Sequence, residues 1–476
     1  MVKWIVKFKW VYFGGKREKM DTAKKVYPSF LYRIRPAGMM VLGFGSVILI
    51  GALLLMTPFA SNSGTSTSFI DCLFTATSAV CVTGLVVVDT SFHWSVFGKT
   101  VIILLIQIGG LGFMSISAAI AIVFRKKINL RQRVLIKEAL NQNQLSGSVR
   151  LIINVIKYTF IIEFIGSLIL STVFIPKFGI AKGIGYSIFH SISAFCNAGF
   201  DLMGRSSGQY TSLVSFYNNP IVVFTISTLI ILGGIGFGVM VCVLGKKRFR
   251  HFDLSSKLAL ITTVALIVIG TALIFFGEYN NPGSIGNMSI WDKFQVSYFQ
   301  SVTTRTAGFG TVDFSKLRES TLFVMIILMF IGASPASTGG GIKTTTLAVI
   351  VLAVRAFIKD QDEISVFKKR INKYTFRKAL GVFVVAIATV ITGTYLINIT
   401  QGPEFNLLAS AFEVSSAFAT VGLSVAGSYN LNIFGKLLII ILMFAGRVGS
   451  LTVFAMFIHD PEPNSVRYPE AKILVG

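Results

Sequence analysis

Acidic residues are scarce in this sequence, and charge of either sign is low. Charged residues make up 13% of the 476 residues, and the mean hydropathy is +0.73. A soluble domain carries about twice that share of charge. The sequence has 20 Asp and Glu against 44 Lys and Arg, which gives a formal net charge of +24. The composition therefore predicts an integral membrane protein and excludes a set of soluble domains.

Cysteine and histidine are also scarce, with four of each. Neither CxxC spacing nor a neighbouring pair of histidines accompanies the cysteines, which are Cys72, Cys81, Cys196 and Cys242. We therefore predict neither a zinc site nor a redox motif, and we interpret the cysteines as small buried residues. The histidines, scattered among loops and ends of apolar runs, are His93, His190, His251 and His459. This scatter argues against an intramembrane enzyme.

Basic residues are concentrated in the connections between apolar runs. Thirty of the 44 Lys and Arg lie in residues 1–36, 125–150, 245–257 and 355–378. The alternate connections hold most of the acids, including Asp89, Asp201, Glu278, Asp313 and Glu404. The positive-inside rule places the basic connections in the cytoplasm and the acidic ones outside. Both termini are therefore expected to be cytoplasmic, and the net charge indicates topology rather than nucleic-acid binding.

One short stretch occurs four times along the chain. Its copies are SAVCVTGL, SAFCNAGF, SVTTRTAGF and SAFATVGL, with glycines at Gly84, Gly199, Gly308 and Gly422. The glycines are separated by 115, 109 and 114 residues. A period maintained over the whole chain predicts four copies of one structural module.

Every copy lies between two long apolar runs. The first runs cover residues 37–58, 151–176, 258–276 and 380–399, and the second runs cover 100–124, 221–244, 322–354 and 437–459. Each run has the ~20 residues that a spanning helix needs. Between them lie half-length apolar segments, such as 68–80 and 406–417. At ~1.5 Å per residue, such a segment crosses about half of the hydrocarbon core and must return to the same side.

Four re-entrant loops at one depth predict a central aqueous path, because lipid cannot satisfy non-helical backbone. The predicted fold class is an all-α membrane protein with four tandem helix–re-entrant pore loop–helix modules (eight spanning helices) around a central pore. The expected parts are a basic amphipathic segment at 1–36, module one at 37–124, a cytoplasmic loop and module two at 125–244, a loop and module three at 245–354, a loop and module four at 355–459, and a C-terminal tail at 460–476.

The repeated glycine fits a ring of backbone carbonyls. Such a ring replaces the hydration shell of a cation without placing a full charge in the pore. Carbonyls line a narrow path only where some residue adopts a positive φ, which glycine does readily. The half-helix before each glycine ends with a partial negative charge that favours cations. The alternative interpretation is a small-residue packing motif between membrane helices.

The second run of module three is interrupted by GASPASTGGGIKTTT, residues 332–346. Glycine and proline break the helix inside the membrane, where freed backbone must face water or protein. A flexible loop is therefore expected below the glycine stretches. A simple kink filled by neighbouring helices is the alternative. A phosphate-binding loop is not supported, because GGGIKT lacks the adjacent Gly-Lys pair.

Three further charged residues lie within apolar segments. Arg447 is mid-run, where an unpaired charge is expensive, so we expect it to face the interior and bond the loop of module three. A structural clamp without a gating role is its alternative. Glu163 is expected to accept a local hydrogen bond, with a proton relay as the less favoured reading. Arg305 is expected to point away from the pore toward an acid, with Glu413 as the candidate.

The strings CVTGL, CNAGF, TRTAGF and ATVGL, each between paired runs, resemble the four filter signatures of the Trk/Ktr/HKT superfamily of cation transporters. The resemblance covers nearly the whole chain and is closest to the Ktr-type membrane subunit. It implies potassium uptake, with potassium as the substrate at backbone carbonyls of the filter residues. These residues are Val82, Thr83, Gly84, Asn197, Ala198, Gly199, Thr306, Ala307, Gly308, Thr420, Val421 and Gly422.

The same resemblance implies an intramembrane gate formed by Gly332, Ser334, Ser337, Gly339, Gly340, Gly341, Lys343 and Arg447. It implies a homodimer with one pore per protomer and a cytosolic nucleotide-binding regulatory ring from a separate polypeptide, the nucleotide being bound only by that partner. Residues 468–476 match a segment that inserts at the dimer interface. Sodium is a candidate activator, the location is the plasma membrane, and no nucleic-acid partner is expected.

Two observations bear on alternatives to a potassium channel-like protein. Some superfamily members that prefer sodium carry serine at the first filter glycine, whereas this chain has Gly84. The alternative function is a sodium-coupled or sodium-conducting secondary cation transporter. Secondary transporters built on discontinuous helices commonly have inverted repeats, but the four copies here share one orientation.

Overall fold

The structure is a computed structural model that describes residues 36–112, 148–246 and 248–449. The predicted amphipathic segment before residue 36, most of the first cytoplasmic loop, the far ends of the second runs in modules one and four, and the C-terminal tail lie outside the described residues. The described part of the chain is mostly helical, with almost no strand.

Modules one and two contribute eight helices to this part of the chain. They are α1 (Pro36–Leu55), α2 (Phe69–Val80), α3 (Val96–Leu111), α4 (Ser148–Phe178), α5 (Ile180–Phe195), the short α6 (Gly204–Ser207), α7 (Pro220–Gly234) and α8 (Phe237–Gly245). Three single-turn 3₁₀ helices cover Pro58–Ala60, Val214–Phe216 and Phe249–His251.

Modules three and four contribute seven helices and a hairpin. The helices are α9 (Leu254–Glu278), α10 (Ile290–Thr303), α11 (Glu319–Phe330), α12 (Thr344–Ile358), α13 (Lys373–Thr400), α14 (Leu407–Phe418) and α15 (Ile433–Val448). Two 3₁₀ turns cover Phe314–Lys316 and Ser428–Asn430. Strands β1 (Ser365–Val366) and β2 (Lys369–Arg370) pair antiparallel between α12 and α13, with Ser365 opposite Arg370.

Polar side chains determine where many of these helices begin. A Ser, Asn or Asp immediately before the helix accepts a hydrogen bond from a backbone N–H of the first turn, which satisfies one of the free donors there. The capping residues are Ser68, Ser95, Asn219, Asp253, Ser289, Asn372, Asn406 and Asn432. The short connections thus fix the first residue of these helices.

The first helix of each module is long, and the helix formed by the second apolar run is shorter. Helices α1, α4, α9 and α13 have 20, 31, 25 and 28 residues. Within the described residues these four are long and apolar enough to cross a membrane, or five spans are present if α7 and α8 count as one. Helices α7 and α8 meet at an angle of 98°.

The second runs therefore differ from the uninterrupted helices expected for modules one, two and four. Helix α3 stops at Gly112, α7 stops before Gly236 and α15 stops at Gly449, and these glycines have φ of +78°, +96° and +97°. A residue in this left-handed region cannot continue a right-handed helix. A helix end at a left-handed glycine thus occurs in modules one, two and four, and in module two a second helix follows it.

Contacts between helices follow the module order. Within a module, the half-length helix packs against the long first helix, as α2 does on α1 and α14 does on α13. Between modules, the second helix packs against the half-length helix of the next module: α3 on α5, α7 on α10 and α11 on α14. Helix α15 then packs against α2, which joins module four to module one.

Candidate functional site

The four repeated glycines lie together, and each meets the copy in the next module. A Cβ added to Gly84 would lie 2.5 Å from the carbonyl oxygen of Ala198, and one on Gly199 would lie 2.7 Å from that of Ala307. A Cβ on Gly308 would likewise meet the oxygen of Val421, and one on Gly422 would meet that of Thr83. We call Gly84, Gly199, Gly308 and Gly422 the glycine ring.

The backbone of each copy has two residues in the left-handed region. The ring glycines have φ of +94°, +69°, +81° and +97°. Two positions earlier, a non-glycine residue also has positive φ; these residues are Val82 (+53°), Asn197 (+57°), Thr306 (+72°) and Thr420 (+54°). For a residue with a side chain, the left-handed conformation costs about 1–2 kcal/mol of free energy. Between the two left-handed positions lies the residue whose carbonyl oxygen meets the neighbouring glycine.

Hydroxyl groups of the half-length helices hold these strained stretches. Ser78 Oγ accepts from the Gly84 N–H at 3.0 Å, and Ser416 Oγ accepts from the Gly422 N–H at 3.0 Å. In the other two copies, Ser193 and Thr303 donate their hydroxyls to backbone carbonyls directly after the glycine, each at 2.7 Å. Buried hydrogen bonds of this kind are what keep unfavourable φ values in place.

A cavity of about 580 Å³ lies on one side of the glycine ring and is lined by all four ring glycines. The charged residues in its lining are Asp89, Asp201, Asp313 and Lys316. Burial raises the pKa of Asp201 to about 7, against the lowering effect of a hydrogen bond from the Met203 N–H. Hydrogen bonds and Lys316 outweigh the effect of burial at Asp313 and hold its pKa below the ordinary value.

The interrupting loop of module three runs from the end of α11 at Phe330 to the start of α12 at Thr344. The predicted loop extended to residue 346, but the last three threonines begin the helix. The Gly340 N–H donates to Thr420 Oγ1 at 2.9 Å. A Cβ on Gly339 would collide with the Thr306 side chain. The loop therefore lies directly against the left-handed residues of modules three and four.

The loop is also fastened to α7 and to itself. Ser334 N–H donates to the Gly234 carbonyl at 3.0 Å, and the Ser334 hydroxyl bonds that of Thr344 at 2.9 Å. Gly332 and Gly341 pack against each other, with a Cβ on Gly341 3.1 Å from the Gly332 Cα. The buried hydroxyl of Ser337 has no hydrogen-bond partner among the described residues.

Two basic side chains donate hydrogen bonds to the carbonyls of this loop. Lys343 Nζ donates to the carbonyl oxygens of Gly339, at 2.8 Å, and of Gly340, at 3.4 Å. Arg447, from α15, donates from Nη1 to the Thr338 carbonyl and from Nη2 to the Gly109 carbonyl, with Gly110 O at 3.3 Å. The expected bond between Arg447 and the loop is therefore present.

Sequence reasoning identified the glycines and Arg447 but missed Thr338, Gly109 and Gly110. The signal available for Gly109 and Gly110 was their adjacency near the middle of an apolar run, a position that module two repeats with Gly233 and Gly234. Close helix contacts in membranes favour such small residues.

The predicted pairing of Arg305 with Glu413 is wrong. Arg305 donates to the carbonyl and hydroxyl of Thr263 on α9, at 3.4 and 3.3 Å. Glu413 instead accepts hydrogen bonds from the hydroxyls of Ser424, at 2.5 Å, and Ser428. Arg305, just after α10, is directed toward α9, whereas Glu413 on α14 is directed toward the loop that follows its own helix, so the two side chains do not meet.

Glu163 accepts a local hydrogen bond, as expected. Gln107 Nε2 on α3 donates to both of its carboxyl oxygens, at 3.1 and 3.2 Å. In residues 36–112, 148–246 and 248–449, no group of three or more His, Cys, Asp or Glu side chains could hold a metal ion. The oxygen atoms that adjoin the ring glycines are backbone carbonyls, those of Thr83, Ala198, Ala307 and Val421.

The profile of a family described as "TrkH: Cation transport protein" matches residues 37–468 of this chain. The chain is 43% identical over 444 residues to Ktr system potassium uptake protein B of Bacillus subtilis, covering 93% of this chain and 97% of that protein. It is 40% identical over 453 residues to potassium/sodium uptake protein NtpJ of Enterococcus hirae, covering 93% and 98%. Ktr system potassium uptake protein B of Vibrio alginolyticus is 40% identical over 438 residues, covering 92% and 94%.

The fold is similar to that of a solved structure, the potassium transporter TrkH from Vibrio parahaemolyticus. The TM-score is 0.66, the match covers 93% of this chain and 87% of that one, and the sequence identity is 17%. At this identity the likeness concerns the fold alone.

Proposed function

Since the chain belongs to the TrkH family of cation transport proteins, we propose that it takes up potassium across the cell membrane through a channel-like pore. The family consists of transport proteins, so the chain is a multi-pass membrane protein and not an enzyme. Potassium is the transported substrate in this proposal, and the membrane potential drives its entry with ~2.3 kcal/mol per charge per 100 mV.

The observation that carries the proposal is the cyclic contact of each ring glycine with a carbonyl of the next copy. Carbonyl oxygens crowded around one axis can replace the hydration shell of a potassium ion. The proposed filter consists of residues 82–84, 197–199, 306–308 and 420–422. Its outer mouth is the cavity lined by Asp89, Asp201 and Asp313, whose carboxylates raise the local concentration of cations.

The proposed gate is the interrupting loop with Lys343 and Arg447. The two basic side chains bind loop carbonyls, and the loop contacts Thr306 and Thr420, neither of which lines the acidic cavity. A cation leaving the filter meets like charge there, which raises the barrier to passage. The backbone of the remaining gate residues lies close enough to the proposed filter to fill the path. These residues are Gly332, Ser334, Ser337, Gly339, Gly340 and Gly341. Opening requires the loop to leave its contacts with Thr306 and Thr420.

The full architecture we propose has four modules and eight spans around this pore, with the boundaries predicted from the sequence. The order of contacts α3–α5, α7–α10, α11–α14 and α15–α2 supports a closed arrangement of modules. In this arrangement the second span of each module is interrupted, so part of it serves as a lining of the inner pore.

Partners and location are proposed by family membership. The name of the Bacillus subtilis relative describes one protein of a "Ktr system". We propose a homodimer in the plasma membrane with cytoplasmic termini, controlled by a cytosolic nucleotide-binding ring that binds the nucleotide itself. Sodium would act as an activator. A sodium-coupled or sodium-conducting secondary transporter is the weaker alternative, because the names of the three relatives above all include potassium, whereas sodium occurs in one of them, that of NtpJ.

The filter is tested by rubidium uptake into proteoliposomes with sodium as competitor. Gly84→Ser adds a side chain at φ +94° against the Ala198 carbonyl, so we expect discrimination against sodium to fall by about tenfold, near 1.4 kcal/mol. Gly64→Ser is the matched control, because Gly64 also has positive φ but has no atom within 4 Å. Uptake by the wild type without discrimination between rubidium and sodium would defeat the filter assignment.

The gate is tested separately with Arg447→Gln. Glutamine can still donate to a loop carbonyl but carries no charge, so we expect rubidium flux to rise about threefold or more as the barrier falls. Flux is measured in vesicles with equal amounts of folded, correctly assembled protein. Unchanged flux would leave Arg447 as a structural clamp alone.

A further inference from the structure

A buried acid in α4 is not used by the proposed filter or gate. Glu163 is 4% exposed and lies near the middle of α4, one of the helices long enough to span the membrane. Ionisable side chains inside a membrane span are expensive to bury and commonly mark a functional position. Its main-chain carbonyl is fixed as well, since it accepts from the Ser191 hydroxyl of α5 at 2.6 Å.

The carboxyl group of Glu163 belongs to a three-residue cluster with Gln107 and Cys196. Gln107 Nε2 donates to both carboxyl oxygens, at 3.1 and 3.2 Å. Cys196 Sγ lies 3.7 Å from Gln107 Oε1 and 3.9 Å from Glu163 Oε1. These residues come from α3, α4 and the residue directly before the proposed filter of module two. The cluster thus joins three elements from two modules.

The cluster adjoins the carbonyls that hold Arg447. Gln107 lies within a turn of Gly109 and Gly110, whose carbonyl oxygens accept from Arg447 Nη2. A Cβ on Gly110 would lie 2.6 Å from Cys196 Sγ, so the backbone at Gly110 packs directly on that thiol. Two short chains of contacts therefore connect Glu163 with the Arg447 guanidinium, one through Gln107 and one through Cys196.

The last turn of α3 needs such support. The helix ends at Leu111, and the Gly109 carbonyl oxygen accepts from the Gly112 N–H at 3.2 Å. A carbonyl oxygen has two lone pairs, so the same oxygen also receives Arg447 Nη2. A hydrogen bond from Gln107 to a neighbouring long helix fixes the orientation of this turn.

We propose that Glu163 and Gln107 are positioning residues for Arg447, holding the carbonyls of Gly109 and Gly110 where the guanidinium of the gate binds them. The inference rests on the proposed gating role of Arg447 and adds two residues that do not line the pore. It makes the seating of Arg447, which belongs to module four, depend on a contact between modules one and two.

The direction of the hydrogen bond between Gln107 and Glu163 can be reversed by exchanging the two side chains. The Gln107 amide is the donor and the Glu163 carboxyl is the acceptor, so exchanging the two side chains preserves one donor and one acceptor. Glu163→Gln alone replaces one of the two oxygens that accept from Gln107 Nε2 with a second NH₂ donor, and Gln107→Glu alone leaves two carboxyls. The double variant Gln107→Glu/Glu163→Gln restores the complementary pair in reverse.

Rubidium flux in proteoliposomes tests the inference. The four proteins compared are the wild type, Glu163→Gln, Gln107→Glu and the double variant. We expect each single variant to raise flux by roughly threefold to tenfold, because Arg447 is held less firmly, and the double variant to return to within about twofold of the wild type. Flux in the double variant as high as in the single variants, in protein that remains folded, would overturn the proposal.

A second cycle separates positioning from general damage. In the Arg447→Gln background, Glu163→Gln is expected to change flux by less than about 1.5-fold, because its target is gone. Glu278→Gln is the matched control: Glu278 is a buried carboxyl at the end of α9 that accepts from Asn281 and Ser284. Its effect should be the same in both backgrounds. An undiminished effect of Glu163→Gln in the Arg447→Gln background contradicts the inference.

Unfolding midpoints of the same purified proteins give a readout that does not depend on transport. We expect Glu163→Gln to lower the midpoint in the wild type and to lower it less in the Arg447→Gln background. Equal shifts in both backgrounds contradict the inference. If the wild-type protein carries no rubidium, the proposed function fails, while the midpoints still decide whether Glu163 and Arg447 are coupled.

Discussion

Asp201 follows the proposed filter of module two and lines the cavity above it. Burial raises its pKa to about 7, so the side chain is neutral below that pH and ionised above it. Asp89, in the same lining, accepts from the backbone N–H groups of Ser91 and Phe92, at 2.9 and 3.0 Å. The charge in this cavity, the proposed outer mouth, is therefore expected to become more negative as external pH rises through 7.

This residue predicts a pH dependence of uptake. Between external pH 6 and pH 8, the rubidium concentration that gives half-maximal uptake should fall by about twofold to fivefold, since an ionised carboxylate concentrates cations. Asp201→Asn should remove most of this change. Initial rates in proteoliposomes at several rubidium concentrations measure it.

Asp313→Asn is the control for that experiment. Asp313 lines the same cavity, but its pKa is held below the ordinary value, so it stays ionised from pH 6 to pH 8. Its replacement should weaken uptake at low rubidium without changing the dependence on pH. A pH dependence that persists in Asp201→Asn would assign the titration to another group.

At the scale of single residues, the sequence identifies a position whose role only one residue type can fill. The four ring glycines were recognisable because a positive φ without strain is a property of glycine. Val82 and Thr306 were not recognisable as left-handed residues, because closure of the ring and not their own preference imposes that conformation. Arg305 was given the wrong partner because a sequence does not state the direction in which a side chain leaves its helix.

The breaks in the second helices are the main feature at the scale of elements. Gly236 separates α7 from α8 with φ +96°, and the residue after it, Phe237, donates its N–H to the Ala336 carbonyl of the interrupting loop at 2.8 Å. The bend thus provides a docking point for the proposed gate.

Gly236→Ala should therefore destabilise the protein and disturb the loop. A Cβ there would lie 2.5 Å from the Pro335 carbonyl oxygen, and the left-handed conformation itself costs about 1–2 kcal/mol with a side chain. We expect a lower unfolding midpoint and altered rubidium flux. Gly45→Ala in α1, where no atom lies within 4 Å, should leave both unchanged or raise the midpoint slightly. Equal midpoints for the two variants would show that the bend is not constrained.

The elements themselves were partly predictable. The long first helices were correctly located because hydropathy is continuous over their length, and the half-length helices agree with the predictions for 68–80 and 406–417 to within one residue. The bend at Gly236 was missed because apolar residues continue across it, so hydropathy does not change. The hairpin of β1 and β2 was missed because each strand has only two residues.

At the scale of the whole molecule, one ion pair joins the first and last modules. Lys436 Nζ on α15 lies 2.7 Å from Asp71 Oδ1 on α2, and the two side chains are 18% and 22% exposed. Because the pair is largely shielded from water, it is worth more than a fully exposed pair. It reinforces the packing of α15 on α2 that completes the order of contacts between modules.

A double-mutant cycle measures this contribution. Asp71→Asn and Lys436→Met should each lower the free energy of unfolding, and their coupling should be about 1 kcal/mol. The exposed pair Asp313–Lys316, with side chains 49% and 61% exposed, serves as the control and should show a coupling near zero. A coupling for Asp71 and Lys436 no larger than that of the control would mean that apolar packing alone joins the modules.

The contact between α15 and α2 also governs the order of events during synthesis. Asp71 and Lys436 are 365 residues apart, so the ribosome must make most of the chain before they can meet. Until then α2 lacks one neighbour, and the cyclic contacts of the glycine ring lack their fourth member. If the proposed filter is correct, an unfinished or truncated chain is therefore unable to complete it.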